Sequence, residues 1–256
     1  MIGFIHGGRA GNFLFQAATA AGLALKNGVE FTVPNRTHDQ YHCPIYLQHL
    51  VNPKWVQGRY DIEITEKHFH YAPIEYKKEW DGLQVILRGY WQSPLFFDEY
   101  RDKIIELFNY PWKCIDDCCS IHARFSDYLT IEKKHIVVDE PYLRAAIDLV
   151  QSEKGIKRFK VYSDDLPYFR KNFGHIYDFE YSTNIGIEQD LIDISCCASN
   201  IGSSSTFSWW GAYLNRNPDK LVITQEKWFQ DGWKDEYNRE VLTHTIVPEN
   251  WIKIAS

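Results

Sequence analysis

The sequence lacks a long apolar run and an excess of positive charge. Its most apolar stretch, residues 17–25, is far shorter than the ~20 apolar residues that a transmembrane helix needs. The net charge of −6 argues against a protein held on nucleic acid by phosphate contacts, but it allows a local basic site for a small phosphate ligand. The start MIGFIHGG has neither the basic nor the apolar region of a signal peptide. We therefore expect a cytoplasmic protein with no transmembrane segment and no nucleic-acid partner.

The cysteines lack the spacing of a zinc site, because no CxxC pair occurs among them. Two adjacent pairs are present instead. The six cysteines are Cys43, Cys114, Cys118, Cys119, Cys196 and Cys197. In a cytoplasmic protein such residues are expected to be reduced and mostly buried, so we predict no metal site from them.

The sequence does contain enough apolar residues for a large core. Of its 256 residues, 45% are hydrophobic and 16% are aromatic. A chain of this length forms one large domain or two small ones. The high aromatic content favours pockets and flat stacking surfaces, although most aromatic side chains in any protein belong to the core.

Strand-like and helical segments alternate along the chain. The predicted strands are 2–5, 29–33, 85–90, 118–123, 159–162, 200–202 and 221–224. The predicted helices are 12–26, 98–108, 141–152, 166–173, 187–198 and 208–215. Residues 35–82 are predicted to be mostly irregular. This alternation is typical of an α/β fold with parallel sheets covered on both faces.

The pattern starts afresh near residue 115, which predicts two Rossmann-like lobes, residues 1–112 and 113–256. Ligands of such folds bind at the carboxyl ends of the strands. The polar residues that directly follow each predicted strand are therefore the candidate site residues. A protein with two lobes of this kind is expected to bind its ligand between them.

The loop GGRAGN, residues 7–12, follows the first predicted strand. Its glycines, Gly11 among them, let backbone N–H groups approach an anion, and the next helix offers its positive end. Arg9 adds a charge, and Asn12 can cap the helix. A tight turn with an N-cap is the alternative interpretation.

The segment HARFSDY, residues 122–128, follows a second predicted strand. Strand alternation places His122 and Arg124 on one face. Arg124 is placed to form a bidentate contact with a phosphate or a carboxylate. Asp127 can orient Arg124, pair with His122 or act as a base. A surface salt bridge is the alternative.

Two acidic residues, Asp164 and Asp165, follow the strand at 159–162. Their carboxylates can hold a ribose hydroxyl, the donor edge of guanine, or Mg²⁺ together with phosphates. An N-cap for the following helix is the alternative.

The stretch GSSSTFSWWGAYLN, residues 202–215, places hydroxyl groups at a helix start. Hydroxyls such as those of Ser205 and Thr206, with the N–H groups of the first helical turn, form an anion nest. Trp209 and Trp210 either pack in the core or stack on a base or sugar. Taken together, the four strand ends supply what a nucleotide diphosphate site needs.

Five blocks of the sequence resemble, in order, the motifs of glycosyltransferase family 11, the α-1,2-fucosyltransferases. GGRAGNFLFQAA is similar to their GGRLGNQLFQYA, and LRGYWQSPLFF (87–97) to their GYWQSEKYF. HARFSDY resembles H-x-R-R-G-D-Y, and VYSDD (161–165) resembles their F/Y-S-D-D strand end. GSSSTFSWWGAYLNRNPDKLVI resembles NSSFSWWGAWLNPNPDKIVI. The blocks span residues 7 to about 229, and the last is long and highly specific.

This resemblance implies a GT-B fold, two Rossmann-like lobes with the active site between them. The lobe 1–112 would face the acceptor, and the lobe 113–256 would bind the nucleotide sugar. The implied reaction is the inverting transfer of L-fucose from GDP-β-L-fucose to a glycan hydroxyl, such as the 2-OH of a galactosyl residue. The resemblance implies neither a metal nor a cofactor besides the donor substrate.

The resemblance also implies roles for individual residues. Arg124 would hold the donor pyrophosphate, and His122 with Asp164 or Asp165 would recognise guanine or ribose. The residues that would meet the phosphates at the helix start are Ser205, Thr206, Phe207 and Ser208. The residues that would close over the phosphate and the fucose are Arg9, Gly11 and Asn12. The candidate catalytic residues are Arg124, His122 and Asp127, with Asp127 either a base or the group that orients Arg124.

The sequence departs from the family pattern at three of these positions. Phe125 and Ser126 replace the second Arg and the Gly of H-x-R-R-G-D-Y, and Phe13 replaces the Gln of GNQ. Losing the second Arg removes a charge that can serve the donor sugar or the acceptor. Two alternatives therefore stay open: the same fold with another nucleotide-sugar donor, or a catalytically silent protein that binds a glycan or a nucleotide. Residues 35–82 match no family block, so the acceptor stays open too.

Overall fold

The computed structural model describes residues 1–34, 54–56, 60–130, 135–234 and 240–256, and the structural statements below concern these ranges. The chain forms two compact units. The first comprises Met1–Tyr110 and Lys234–Pro248, and the second comprises Pro111–Trp233 and Glu249–Ser256. The segment Lys234–Pro248 therefore belongs to the first unit, whereas the predicted boundaries place it in the second lobe.

The first unit is built on a parallel sheet with the strand order β1–β5–β4. Its elements in chain order are β1 (Ile2–Phe4), α1 (Ala10–Lys26), β2 (Thr32–Pro34), β3 (Lys54–Val56), β4 (Ile62–Thr65), β5 (Val85–Arg88) and α2 (Arg101–Phe108). Strands β2 and β3 form a separate parallel pair. Helix α1 is rich in alanine and lies close to its neighbours, since a Cβ atom at Gly22 would lie 2.7 Å from Cβ of Phe97.

The second unit is built on a six-stranded sheet with the order β11–β10–β9–β6–β7–β8. Its elements in chain order are β6 (Ile115–Ala123), α3 (Ser126–Thr130), α4 (Glu140–Lys154), β7 (Arg158–Ser163), α5 (Leu166–Phe173), β8 (Glu180–Tyr181), α6 (Ile187–Cys196), β9 (Cys197–Gly202), α7 (Thr206–Leu214), β10 (Val222–Gln225) and β11 (Ile252–Ile254). All five strand pairings are parallel. The carboxyl ends of β6, β7, β9 and β10 therefore lie along one edge of the sheet.

The predicted α/β class with parallel sheets is confirmed. The bounds of several elements differ from the prediction, and three cases are instructive. The helix predicted over 187–198 ends at Cys196, because Cys197–Gly202 forms the strand β9 between β6 and β10. The strand at 222–225 is not the last, since β11 pairs with it. Strand β4 lies within the segment predicted to be irregular, because its alternation of Ile with polar residues lasts only four residues.

The tryptophan pair of α7 belongs to the core of the second unit. Trp209 and Trp210 are 1% and 0% exposed. Their rings meet edge to face at 5.0 Å, and Trp209 stacks on Tyr213 at 4.6 Å. Gly211 lets α7 approach α6, because a Cβ atom there would lie 2.3 Å from Cγ2 of Ile194. The core interpretation of the two tryptophans is thus the correct one.

Two further findings concern the described part of the chain. Each of its helices is too short or too polar to span a lipid bilayer. The five cysteines within it, Cys114, Cys118, Cys119, Cys196 and Cys197, are free thiols, and all but Cys114 are buried. Cys43 lies outside the described residues.

Candidate functional site

The carboxyl edge of the second sheet brings together most of the predicted site residues of that unit. Ala123 at the end of β6 is in register with Ser163 of β7. His122 is in register with Gly202 of β9 on the other side. The segments that follow β6, β7 and β9 are therefore neighbours, as expected for consecutive strand ends in a parallel sheet.

Arg124 lies at the centre of this edge and is held by two carboxylates. Its Nε and Nη2 atoms lie 3.0 and 2.7 Å from Oδ1 of Asp127. Its Nε atom also lies 3.1 Å from Oδ2 of Asp164. The side chain is 18% exposed, so it keeps a face toward solvent. Of the contacts that its sequence position allowed, Asp127 thus makes the one with Arg124.

The two acidic residues after β7 do different things. Asp164 accepts a hydrogen bond of 2.9 Å from the backbone N–H of Phe125 in addition to its contact with Arg124. Asp165 is the N-cap of α5, because its side chain accepts a hydrogen bond from Tyr168 N at 2.9 Å. Asp164 therefore forms an arginine cluster with Arg124 and Asp127. Asp165 instead takes the capping role that was its alternative.

His122 is buried, and its Nδ1 atom lies 2.5 Å from Oγ of Ser208. Burial lowers the pKa of His122 to about 4, although the Asp164 carboxylate acts in the opposite direction. The imidazole is therefore neutral near pH 7. Phe207 covers it, with the two ring centroids 5.1 Å apart.

The hydroxyl groups around the start of α7 divide into interior and edge groups. Ser208 is 5% exposed and bonds both His122 and Ser203. The structure thus places the Ser208 hydroxyl in the interior rather than at a ligand-facing edge. Ser205 is the N-cap, and its Oγ accepts a hydrogen bond from Phe207 N at 3.3 Å. Thr206 is half-buried and stands in the first helical turn.

Tyr128, which sequence reasoning did not single out, links Arg124 to this helix start. Its hydroxyl donates to the carbonyl of Ser204 at 3.1 Å. The guanidinium carbon of Arg124 lies 5.8 Å from its ring centroid. Burial raises the pKa of Tyr128. The ring stacks on His135 at 3.7 Å, which extends the cluster into an aromatic surface. Its only sequence signal was its place in the HARFSDY block.

In the first unit, the glycine loop is held by a side chain that the sequence reasoning also missed. Gln16 of α1 accepts from Gly7 N at 3.1 Å and donates to Gly7 O at 3.2 Å. It also donates to Gly89 O, after β5, at 2.9 Å. Gly8 has a φ of +76°, a conformation that favours glycine. One amide side chain thereby fixes the loops after two neighbouring strands.

Helix α1 begins at Ala10, earlier than predicted, so Arg9 is the N-cap residue. Asn12 is therefore not the cap but the third helical residue. Its Oδ1 accepts a hydrogen bond of 2.8 Å from Nε2 of Gln92. Gly11 is buried inside the first turn, and Arg9 is exposed. The first turn, Ala10–Phe13, carries no acidic side chain, which suits the approach of an anion.

Within the described ranges, no group of three or more His, Cys, Asp or Glu side chains is arranged to hold a metal ion.

Comparison with known proteins extends these observations. A model of the family described as Glycosyl transferase family 11 matches residues 6–255. The chain is 31% identical over 190 residues to the O-antigen biosynthesis glycosyltransferase WbnK of Escherichia coli, which covers 66% of this chain and 60% of that protein. It is 27% identical over 201 residues to an alpha-1,2-colitosyltransferase of Escherichia coli, covering 70% and 67%. It is 23% identical over 238 residues to galactoside 2-alpha-L-fucosyltransferase SEC1 of Bos taurus, covering 81% and 62%.

The matched regions span 60–67% of the length of these relatives. The family match, by contrast, runs over almost the whole chain and includes all five motif blocks. The chain belongs to glycosyl transferase family 11.

Proposed function

We propose that the protein transfers L-fucose from GDP-fucose to a glycan hydroxyl, such as the 2-OH of a galactosyl residue, with inversion and without a metal ion. The main support for the proposal is the placement of Arg124. Two carboxylates hold it at the carboxyl edge of the second sheet, beside the start of α7. Family membership and the fucosyltransferase among the relatives support the choice of donor.

The chemistry of the departing group explains why this arrangement suits the reaction. GDP gains negative charge on its diphosphate as the bond to the sugar loosens. A fixed cation and helix N–H groups that already point at that charge stabilise the transition state without reorganising. The guanidinium group has five N–H donors, and its Nε and Nη2 atoms make the contacts with Asp127 and Asp164. The remaining donors, on Nη1 above all, are the ones we assign to the diphosphate.

The environment of Phe125 makes a second nucleotide-sugar donor a candidate. Phe125, at the position of the family's second Arg, is 0% exposed. Its ring centroid lies 4.7 Å from that of Tyr168 and 5.9 Å from that of Phe173. The position is part of an apolar cluster and offers no charge to a sugar. Because one relative is an alpha-1,2-colitosyltransferase, colitose is the alternative donor sugar.

Donor preference tests the proposal directly. The protein is incubated separately with GDP-fucose, GDP-mannose and UDP-galactose, and the release of nucleoside diphosphate is measured with and without lactose and with and without EDTA. Of the three donors, we expect only GDP-fucose to be turned over, and we expect the rate of GDP release to be the same with and without EDTA. GDP at 100 times its Kd is expected to stabilise the fold by about 2.7 kcal/mol, seen as a higher Tm. A Tm that does not change when GDP is added would refute the proposal.

A further inference from the structure

A buried carboxylate of the first unit directly follows β4 in the sequence. Glu66 is 5% exposed. Its Oε2 atom accepts a hydrogen bond from Tyr90 N at 3.0 Å, and its Oε1 atom accepts one from Trp91 N at 2.8 Å. Two consecutive backbone N–H groups that converge on one anion form a nest. Here the anion is supplied by the protein itself.

The turn that Glu66 holds has an unusual backbone. Trp91 has a φ of +54° and Gly89 a φ of +151°. A left-handed conformation at a residue other than glycine costs about 1–2 kcal/mol and persists only where the surroundings hold it. A Cβ atom at Gly89 would lie 2.3 Å from Cβ of Glu66. The glycine therefore makes room for the glutamate, and the glutamate stabilises the turn.

The same turn makes the contacts that reach the start of α1. The Gly89 carbonyl accepts from Gln16, the side chain that fixes the glycine loop. Gln92, 6% exposed, donates to Oδ1 of Asn12 at 2.8 Å. The place of Gln92 depends on the conformation of the residue before it, which Glu66 holds. A path of direct contacts thus runs from Glu66 through the turn to Asn12.

We infer that Glu66 is a positioning residue, which sets the side chain of Asn12 for the donor sugar through the turn 89–92. This inference rests on the proposed function and on the donor contact that the family resemblance implies for Asn12. Glu66 does not touch the donor itself. Its role is to hold Gln92 in place, so that the hydrogen bond of 2.8 Å from Gln92 Nε2 to Asn12 Oδ1 orients the Asn12 amide.

The test compares Glu66→Gln with the control Glu63→Gln. The control makes the same change three residues earlier, within β4, where Glu63 forms a partly exposed ion pair with Arg88. In Glu66→Gln one backbone N–H meets an amide N–H₂ group instead of an oxygen, so one charged hydrogen bond is lost. We expect hydrogen exchange in residues 89–93 to quicken about tenfold and the KM for GDP-fucose to rise about tenfold, with kcat changed less than about twofold. Glu63→Gln should match the wild type in both.

A second variant, Gln92→Leu, tests the same path of contacts if Glu66→Gln folds poorly. Gln92→Leu cuts the contact to Asn12 but leaves Glu66 on the turn, so it should raise the KM equally without quickening exchange at residues 90 and 91. The double variant should show no further rise in KM, whereas additive effects would overturn the path through Gln92. Unchanged exchange in Glu66→Gln would overturn the role of Glu66. Failure of the proposed function is a separate result: the wild type would then neither bind GDP nor turn over GDP-fucose, while the exchange data would still decide what Glu66 holds.

Discussion

Replacing Arg124 by alanine is the sharpest perturbation that the second unit offers. The change removes the guanidinium group and leaves Asp127 and Asp164, both within about 3 Å of its former position, facing the site without their cation. At an effective dielectric constant of about 20, a guanidinium and a phosphate about 4 Å apart attract by about 4 kcal/mol. The two uncompensated carboxylates add repulsion. Loss of one donor to a developing oxyanion costs roughly 10²- to 10³-fold in kcat by itself. We therefore expect turnover in Arg124→Ala to fall by at least a factor of about 10³.

The assay measures GDP release from GDP-fucose together with the Tm shift that GDP produces. The Arg124 and Asp164 side chains are only 18% and 19% exposed, so loss of the cation should destabilise the fold by about 3 kcal/mol. That corresponds to a Tm lower by about 6–12 °C, and the Tm of the variant without GDP checks that it is folded at the assay temperature. The control is Arg144→Ala on α4, which removes an exposed pair with Glu140 of 2.7 Å and should leave turnover unchanged. Near-normal turnover in Arg124→Ala, with wild-type stabilisation by GDP, would show that the diphosphate lies elsewhere.

Three further predictions concern neighbours of Arg124. In Asp127→Asn we expect a loss of turnover of about tenfold with an unchanged pH profile, because the residue orients Arg124; a loss above about 10³ with a shifted profile would identify a base instead. The folded-state pKa of His122, about 4, lies below its ordinary 6.5, so its contribution to stability is complete above pH 6.5 and is lost as the pH falls, by about 3 kcal/mol at pH 4. Urea unfolding at pH 7 and 4.5 should show a smaller acid loss for His122→Asn than for the wild type, and an equal loss would contradict the neutral buried imidazole. Phe125→Arg should lower the Tm by more than about 10 °C rather than improve activity, because it buries a charge among aromatic rings, while Ser126→Gly should be neutral; a stable, more active Phe125→Arg would refute the core placement.

Local signals explain why some elements were predictable with their bounds. Helix α5 occupies Leu166–Phe173, as predicted, because a capping aspartate precedes it and Phe169 and Phe173 share one buried face. Strands β4 and β11 were missed for the opposite reason. They are three or four residues long, and so short an alternation carries little information without the partner strand beside it.

The arginine cluster shows the same division between local and non-local information. The contact of Arg124 with Asp127 spans three residues, so spacing alone suggested it. The contact of Arg124 with Asp164 spans forty residues and exists because β6 and β7 pair with Ala123 opposite Ser163. No single-sequence pattern encodes that register. Motif resemblance selected segments that the structure brings together, but it could not say which carboxylate of the pair at 164–165 turns toward the arginine.

The serines of residues 203–208 show why residue type predicts a polar partner better than it predicts a direction. The sequence suggested that these hydroxyls face a ligand. In the structure, Ser208 bonds His122, and Ser204 bonds Ile136 O at 2.6 Å and, through its N–H, Gln225 at 2.8 Å. Buried polar groups need hydrogen-bond partners, and the crowded edge where four strands end has many backbone groups to satisfy. Most of the hydroxyls are therefore used to hold the start of α7 in place, and a ligand would meet the result of that placement, an oriented helix N-terminus next to Arg124, rather than the serines themselves.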